Sequence, residues 1–178
     1  MIRKKRNLDG RDSVYIGVLS AMCAVATAIK IPFGVGAMVH LGTAFLFMTA
    51  IVFGGVYAGL SGAIGSALYD LVLGFSPYTL WSFFIKGVAG LIAGLVAKGK
   101  WPETAASAWQ LRTTWFLRAF LGCLLAAVWT LGGYIAAWWQ VTGSLATALA
   151  NIPSSLMTSG AGLVIALLVS PKLRKLLS

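Results

Sequence analysis

Residues Ser66–Gly87 read SALYDLVLGFSPYTLWSFFIKG. Two apolar segments flank a short Gly-Phe-Ser-Pro-Tyr turn, and each carries one charge, Asp70 before the turn and Lys86 after it. A charged side chain at the centre of a lipid-embedded helix costs about 2.5–3.5 kcal/mol on insertion scales, so this pair needs a reason. Ala58, Gly62, Ser66 and Asp70 fall four apart, as do Ser82, Lys86, Gly90 and Gly94. That spacing keeps each set on one helical face. A tight turn makes the two helices antiparallel neighbours, and their small residues read as an internal packing surface. At 1.5 Å per residue, Asp70 lies about 6 Å from the end of its helix and Lys86 about 10 Å from the start of its own. A lysine stem spans that difference. Two roles follow: a structural salt bridge, or polar groups lining a cavity at that end of the bundle.

The rest of the chain sets the solvent. Of 178 residues, 59% are hydrophobic and 10% charged, whereas a soluble domain carries roughly a quarter charged residues. The sequence is that of an integral membrane protein in one domain, 1–178. Its net charge of +10 is not a nucleic-acid signature, because no aromatics are interleaved with the basic runs as a base-stacking surface requires. Arg3, Lys4, Lys5, Arg6 and Arg11 precede the first apolar run, Lys98, Lys100 and Arg112 flank the long polar loop, and Lys172, Arg174 and Lys175 end the chain. That is the positive-inside pattern.

Apolar runs predict six transmembrane helices, about 14–31, 41–56, 58–74, 79–97, 113–138 and 149–169. The fold class is an all-α membrane protein, a six-helix bundle with both termini cytoplasmic. The three opposite loops, near 32–40, 74–78 and 139–148, carry no lysine or arginine. The first apolar run is expected to stay as a full-length helix, not to leave as a cleaved signal. Lys30 and Arg118 are expected to snorkel to their nearest surface. Cys23 and Cys123 sit in apolar runs and read as small hydrophobes. With His40 as the one histidine, no metal site is expected.

Tyr69, Phe75, Tyr78, Trp81, Trp138 and Trp139 gather at the end that holds Asp70 and Lys86, with His40 and Asn151. Apolar walls with a few convergent polar groups suit a small-molecule pocket. Pro32–Gly42, with Gly34, Gly36 and Gly42, reads as a flexible lid over it.

The run VHLGTAFLFMTAIVFGGVYAGLSGAIGSALYDLVLGFSPYTLWSFFIKGVAGLIAGL, Val39–Leu95, resembles the substrate-binding (S) components of energy-coupling factor vitamin transporters. It is most similar to the hydroxymethylpyrimidine and pyridoxine branch of the riboflavin-type S components. His-Leu-Gly opening helix 2, the Gly-rich junction of helices 2 and 3, ALYDL, and PYTL with IKG in helix 4 carry the likeness. Thr43 departs from it, since that branch commonly has asparagine after His-Leu-Gly. The resemblance implies a prokaryotic cell-membrane protein that captures a vitamin or precursor, with no cofactor of its own. It also implies a membrane T component and two cytoplasmic ATPase subunits as partners. Gly17, Ser20, Ala21, Ala24 and Ala28 on helix 1 match the stripe on which the T component docks. Ligand-binding candidates are His40, Thr43, Asp70, Tyr78, Trp81, Lys86, Trp138 and Asn151.

The chain has no GxxxxGK[ST] loop, so it cannot hydrolyse ATP by that device. No catalytic residues are expected, because Asp70 is the one acidic residue inside a span and no Gly-x-Ser-x-Gly elbow occurs. The alternative is a stand-alone proton- or ion-coupled carrier that uses the Asp70–Lys86 pair as a relay. If the pair neutralises itself, the cargo is a ring of low net charge such as pyridoxine or hydroxymethylpyrimidine. If Lys86 is unpaired, a carboxylate-bearing vitamin such as pantothenate or nicotinate fits.

Overall fold

The computed structural model describes residues 9–33, 37–74, 76–98 and 108–177. Helix α1, Gly10–Ala28, begins at a capping box: the Asp9 side chain accepts a backbone N–H of the first turn, and Asp12 accepts the Asp9 N–H at 2.9 Å. Two orphan donors are thereby satisfied. Strands β1, Lys30–Phe33, and β2, Ala37–His40, follow as an antiparallel hairpin. Then come α2, Gly42–Val52; α3, Gly55–Val72; α4, Ser76–Val96; α5, Ala108–Thr142; α6, Leu145–Ala150; and α7, Ile152–Leu177.

An α-helical membrane protein is what the apolar runs predict, with three differences. The segment expected to be a glycine-loosened lid is a paired hairpin, in register Lys30↔His40 through Phe33↔Ala37. Pro32 is tolerated there because a two-stranded sheet has only edge strands. Gly34 and Gly36 lie outside the described residues, and Gly42 is no hinge: a Cβ there would come 2.1 Å from Thr27 Oγ1. It is a close-packing position between α1 and α2.

The second difference is length. Helix α2 has 11 residues, about 17 Å, against a hydrocarbon core of about 30 Å. Helix α5 has 35 residues, about 52 Å at 1.5 Å per residue. Pro77–Val96, Arg112–Thr142 and Leu145–Leu176 are each long and apolar enough to cross a membrane. Third, the expected last helix is broken at Asn151, whose amide donates to Thr147 O at 3.1 Å and closes α6 before α7 begins.

Glycines set the tightest seam. A Cβ at Gly90 would lie 2.5 Å from the Ala58 carbonyl, and one at Gly94 would lie 2.2 Å from Gly55 N. Helices α3 and α4 therefore meet backbone to backbone, as the small-residue stripes require. Between α2 and α3, Gly54 takes φ +97°, a conformation that side chains disfavour.

Packing divides the bundle into two halves. Leu46, Phe47 and Ala50 of α2, Ala89 and Ala93 of α4, Trp115, Ala119 and Cys123 of α5, and Ala166 of α7 form one buried apolar cluster. They come from the C-terminal part of α2, α4 and α7 and the N-terminal part of α5. The opposite parts of these helices surround a cavity.

Candidate ligand-binding chamber

Five helices and the hairpin converge on a chamber of about 350 Å³, inside the range of roughly 300–1,000 Å³ typical of small-molecule sites. Helix α1 and β1 contribute Thr27 and Lys30, and β2 contributes His40. Helix α3 gives Ser66, Tyr69 and Asp70, α4 gives Tyr78, Ser82 and Lys86, and α5 gives Tyr134 and Trp138. Asn151, Ser154 and Ser155 complete the wall at the start of α7. A smaller annex of about 70 Å³ adjoins it, sharing His40, Lys86, Tyr134, Ser154 and Ser155 and adding Thr43, Thr130, Thr158 and Ser159.

The hairpin register positions two of the polar groups. Lys30 and His40 are cross-strand partners, so their side chains leave the same face. Lys30 Nζ lies 5.4 Å from the Tyr69 ring centroid, a cation–π distance. It does not simply snorkel away. His40 Nδ1 is buried and has no hydrogen-bond partner. Burial above all, with Lys86 and Lys30 adding to it, lowers the His40 pKa to about 3. At neutral pH it is an uncharged ring.

The aromatic wall is built between α4 and α5. The Tyr78 and Trp138 rings stand 5.0 Å apart at 39°, a tilted contact within the favourable range. Ser82 Oγ and Tyr134 Oη are 3.3 Å apart.

The charged pair does not close on itself. Lys86 is 5% exposed, and its ammonium donates to Thr43 Oγ1 at 3.0 Å and lies 5.5 Å from the Tyr134 ring centroid. Asp70 Oδ2 is buried with no hydrogen-bond partner. The salt-bridge role is thus replaced by two separate polar groups facing one cavity. The packing of α2 against α4 decides this, because it brings Thr43 of α2 within reach of the lysine.

Of the residues singled out in the sequence, His40, Asp70, Tyr78, Lys86, Trp138 and Asn151 line the chamber and Thr43 lines the annex. Trp81 lines neither and Trp139 is exposed. Phe75 lies outside the described residues. Sequence reading missed Tyr134 and the hydroxyl face of α7. Ser154, Ser155, Thr158 and Ser159 recur at spacings of one and four, a polar stripe that an apolar helix has no need of.

On α1, Gly17, Ala21 and Ala28 are exposed and Ala24 is half-buried. Ser20 turns inward: it is 2% exposed and donates to Ile16 O at 2.7 Å. A Cβ on Gly65 of α3 would lie 2.6 Å from Ser20 O. Cys23 and Cys123 are buried free thiols.

Comparison with known proteins identifies the family. The family model described as "ECF-type riboflavin transporter, S component" matches residues 7–175. An "Uncharacterized protein in gap 3'region" of Pyrococcus woesei is 28% identical over 77% of this chain and 82% of its own. A UPF0397 protein of Exiguobacterium is 36% identical over 45% of this chain and 40% of its own. Another, of Clostridium perfringens, is 34% identical over 53% and 52%. The chain spans about half or less of those two UPF0397 proteins. It belongs to the ECF-type riboflavin transporter S component family, whose members are the substrate-binding subunits of transporters and not enzymes.

Proposed function

We propose that this S component captures a small, flat vitamin or vitamin precursor in the 350 Å³ chamber and passes it to an ATP-driven transporter. The observation that carries the reading is the pair of buried polar atoms without partners, His40 Nδ1 and Asp70 Oδ2, both on residues lining this cavity. Buried polar groups normally find a partner, and a bound ligand supplies one. Tyr78 and Trp138 serve as the platform for its ring. The sequence branch suggests pyridoxine or hydroxymethylpyrimidine as the cargo, whereas Lys86 held by Thr43 instead of Asp70 favours a carboxylate-bearing vitamin.

The partners follow from the same reading. A membrane T component docks on the exposed Gly17, Ala21 and Ala28 face of α1, and two cytoplasmic ATPases drive it. Both termini face the cytoplasm, in keeping with the distribution of lysine and arginine. A stand-alone proton carrier is the weaker reading, because Lys86 is bonded to Thr43 and does not form with Asp70 the direct pair on which that reading rests.

The seven tryptophans provide the test. The full chain in detergent is titrated with pyridoxine, hydroxymethylpyrimidine, riboflavin, pantothenate and nicotinate while fluorescence is followed. Saturable quenching at nanomolar to micromolar concentration by one of them supports capture. Proton-coupled uptake by the chain alone in ATP-free liposomes, with no such binding, overturns it.

A further inference from the structure

We infer that the annex is an anion subsite, and that the cargo carries a carboxylate which enters it and meets the Lys86 ammonium. The inference rests on the capture reading and refines the substrate class. Lys86 is 95% buried by its 5% exposure, and among the described residues its one hydrogen bond is to Thr43. An ammonium has three N–H donors, so two are left over. Asp70 does not take them. A buried charge is costly unless it is both paired and hydrogen-bonded.

The surrounding chemistry selects the counter-ion. Thr43, Lys86, Thr130, Tyr134, Thr158 and Ser159 line a space of about 70 Å³, room for about two waters at roughly 30 Å³ each. A carboxylate occupies similar space, accepts from hydroxyls as well as from the ammonium, and brings one negative charge. A phosphate brings more charge than one lysine offsets. Lys30 adds a second cation to the main chamber, and among the described residues Asp70 is the one carboxylate on its wall. With His40 neutral, the lining carries a net positive charge. Asp70 Oδ2, unpartnered, calls for a donor elsewhere on the ligand. The cargo is therefore a monocarboxylate with a hydroxyl, amine or ring N–H at its far side.

The test uses acid and alcohol pairs with the full chain in detergent: pantothenate against panthenol, nicotinate against 3-pyridylmethanol, and 4-pyridoxate against pyridoxine. The expected result is at least one acid that binds about tenfold or more tightly than its alcohol, the advantage of a charge-assisted bond. Lys86→Gln is expected to erase the preference and Lys86→Arg to restore part of it. The wild-type comparison stands alone if a variant fails to fold. Alcohols that bind as well as or better than their acids in every pair that binds overturn the anion subsite and leave capture intact. Silence from all six compounds and from riboflavin and hydroxymethylpyrimidine, in a folded sample, overturns both.

Discussion

Lys86 reaches across the bundle to Thr43, Nζ to Oγ1 at 3.0 Å, and this bond ties α4 to α2 at the floor of the chamber. Both residues are buried, at 5% and 1% exposure. Thr43→Val keeps the shape and deletes the acceptor. A buried ammonium left without a bond costs about 1–3 kcal/mol, so thermal unfolding in detergent is expected several degrees lower. Thr43→Ser and Thr43→Asn keep an oxygen and are expected to retain most of the stability. An unchanged midpoint in Thr43→Val would deny the bond its structural part.

Gly90 and Gly94 set the distance between α3 and α4. Added Cβ atoms would meet Ala58 and Gly55 backbone at 2.5 and 2.2 Å, and backbone cannot rotate away. Gly90→Ala and Gly94→Ala are expected to cost about 1–3 kcal/mol or more through overpacking. Gly132, with nothing within 4 Å, is the control, and Gly132→Ala is expected to be neutral or to stabilise by up to about 1 kcal/mol.

The Tyr57 hydroxyl donates to the Asp12 carboxylate, clipping the start of α3 to the start of α1. Asp12 is 4% exposed, away from the chamber lining. Tyr57→Phe is expected to lose about 1.5–3 kcal/mol, the worth of a hydrogen bond to a charged group. Ligand affinity at fixed temperature should stay as in the wild type. A selective loss of affinity would mean that this clip governs the chamber.

His40 supplies a pH signature. Its folded pKa of about 3 lies below the ordinary 6.5, so below about pH 6.5 the unfolded chain takes up a proton that the folded one refuses. Stability then falls as pH drops from 6.5 toward 3, by at most about 1.4 kcal/mol per pH unit. Unfolding midpoints at pH 7, 6 and 5 are expected to decline in the wild type and to flatten in His40→Asn. Parallel slopes in the two proteins would place the titration elsewhere.

Ala21 stands exposed on α1 where Ser20 and Cys23 face the bundle. Ala21→Trp is expected to abolish co-purification with a T component and its ATPases while leaving the fluorescence titration unchanged. Loss of both would indicate a folding defect, and retention of the complex would move the docking face off this stripe.

The sequence by itself determined the solvent, the main helices and six of the fourteen described residues that line the chamber. Composition demands lipid, four-residue spacing of small residues demands close helix pairs, and charges in apolar runs are too costly to be accidental. Tertiary structure alone decided how those groups are partnered. Whether Lys86 meets Asp70 or Thr43 depends on contacts between helices far apart in the chain, and helical periodicity says nothing about which neighbour a face will meet. The hairpin at Lys30–His40 escaped for a related reason: its pairing is a cross-strand register, while the local sequence shows one proline and two glycines among apolar residues, the marks of a loop. The hydroxyls of α7 escaped because a serine or threonine inside an apolar helix can bond its own backbone, and Tyr134 escaped because a lone tyrosine in an apolar run reads as packing. Only the packed bundle reveals that these hydroxyls surround a space.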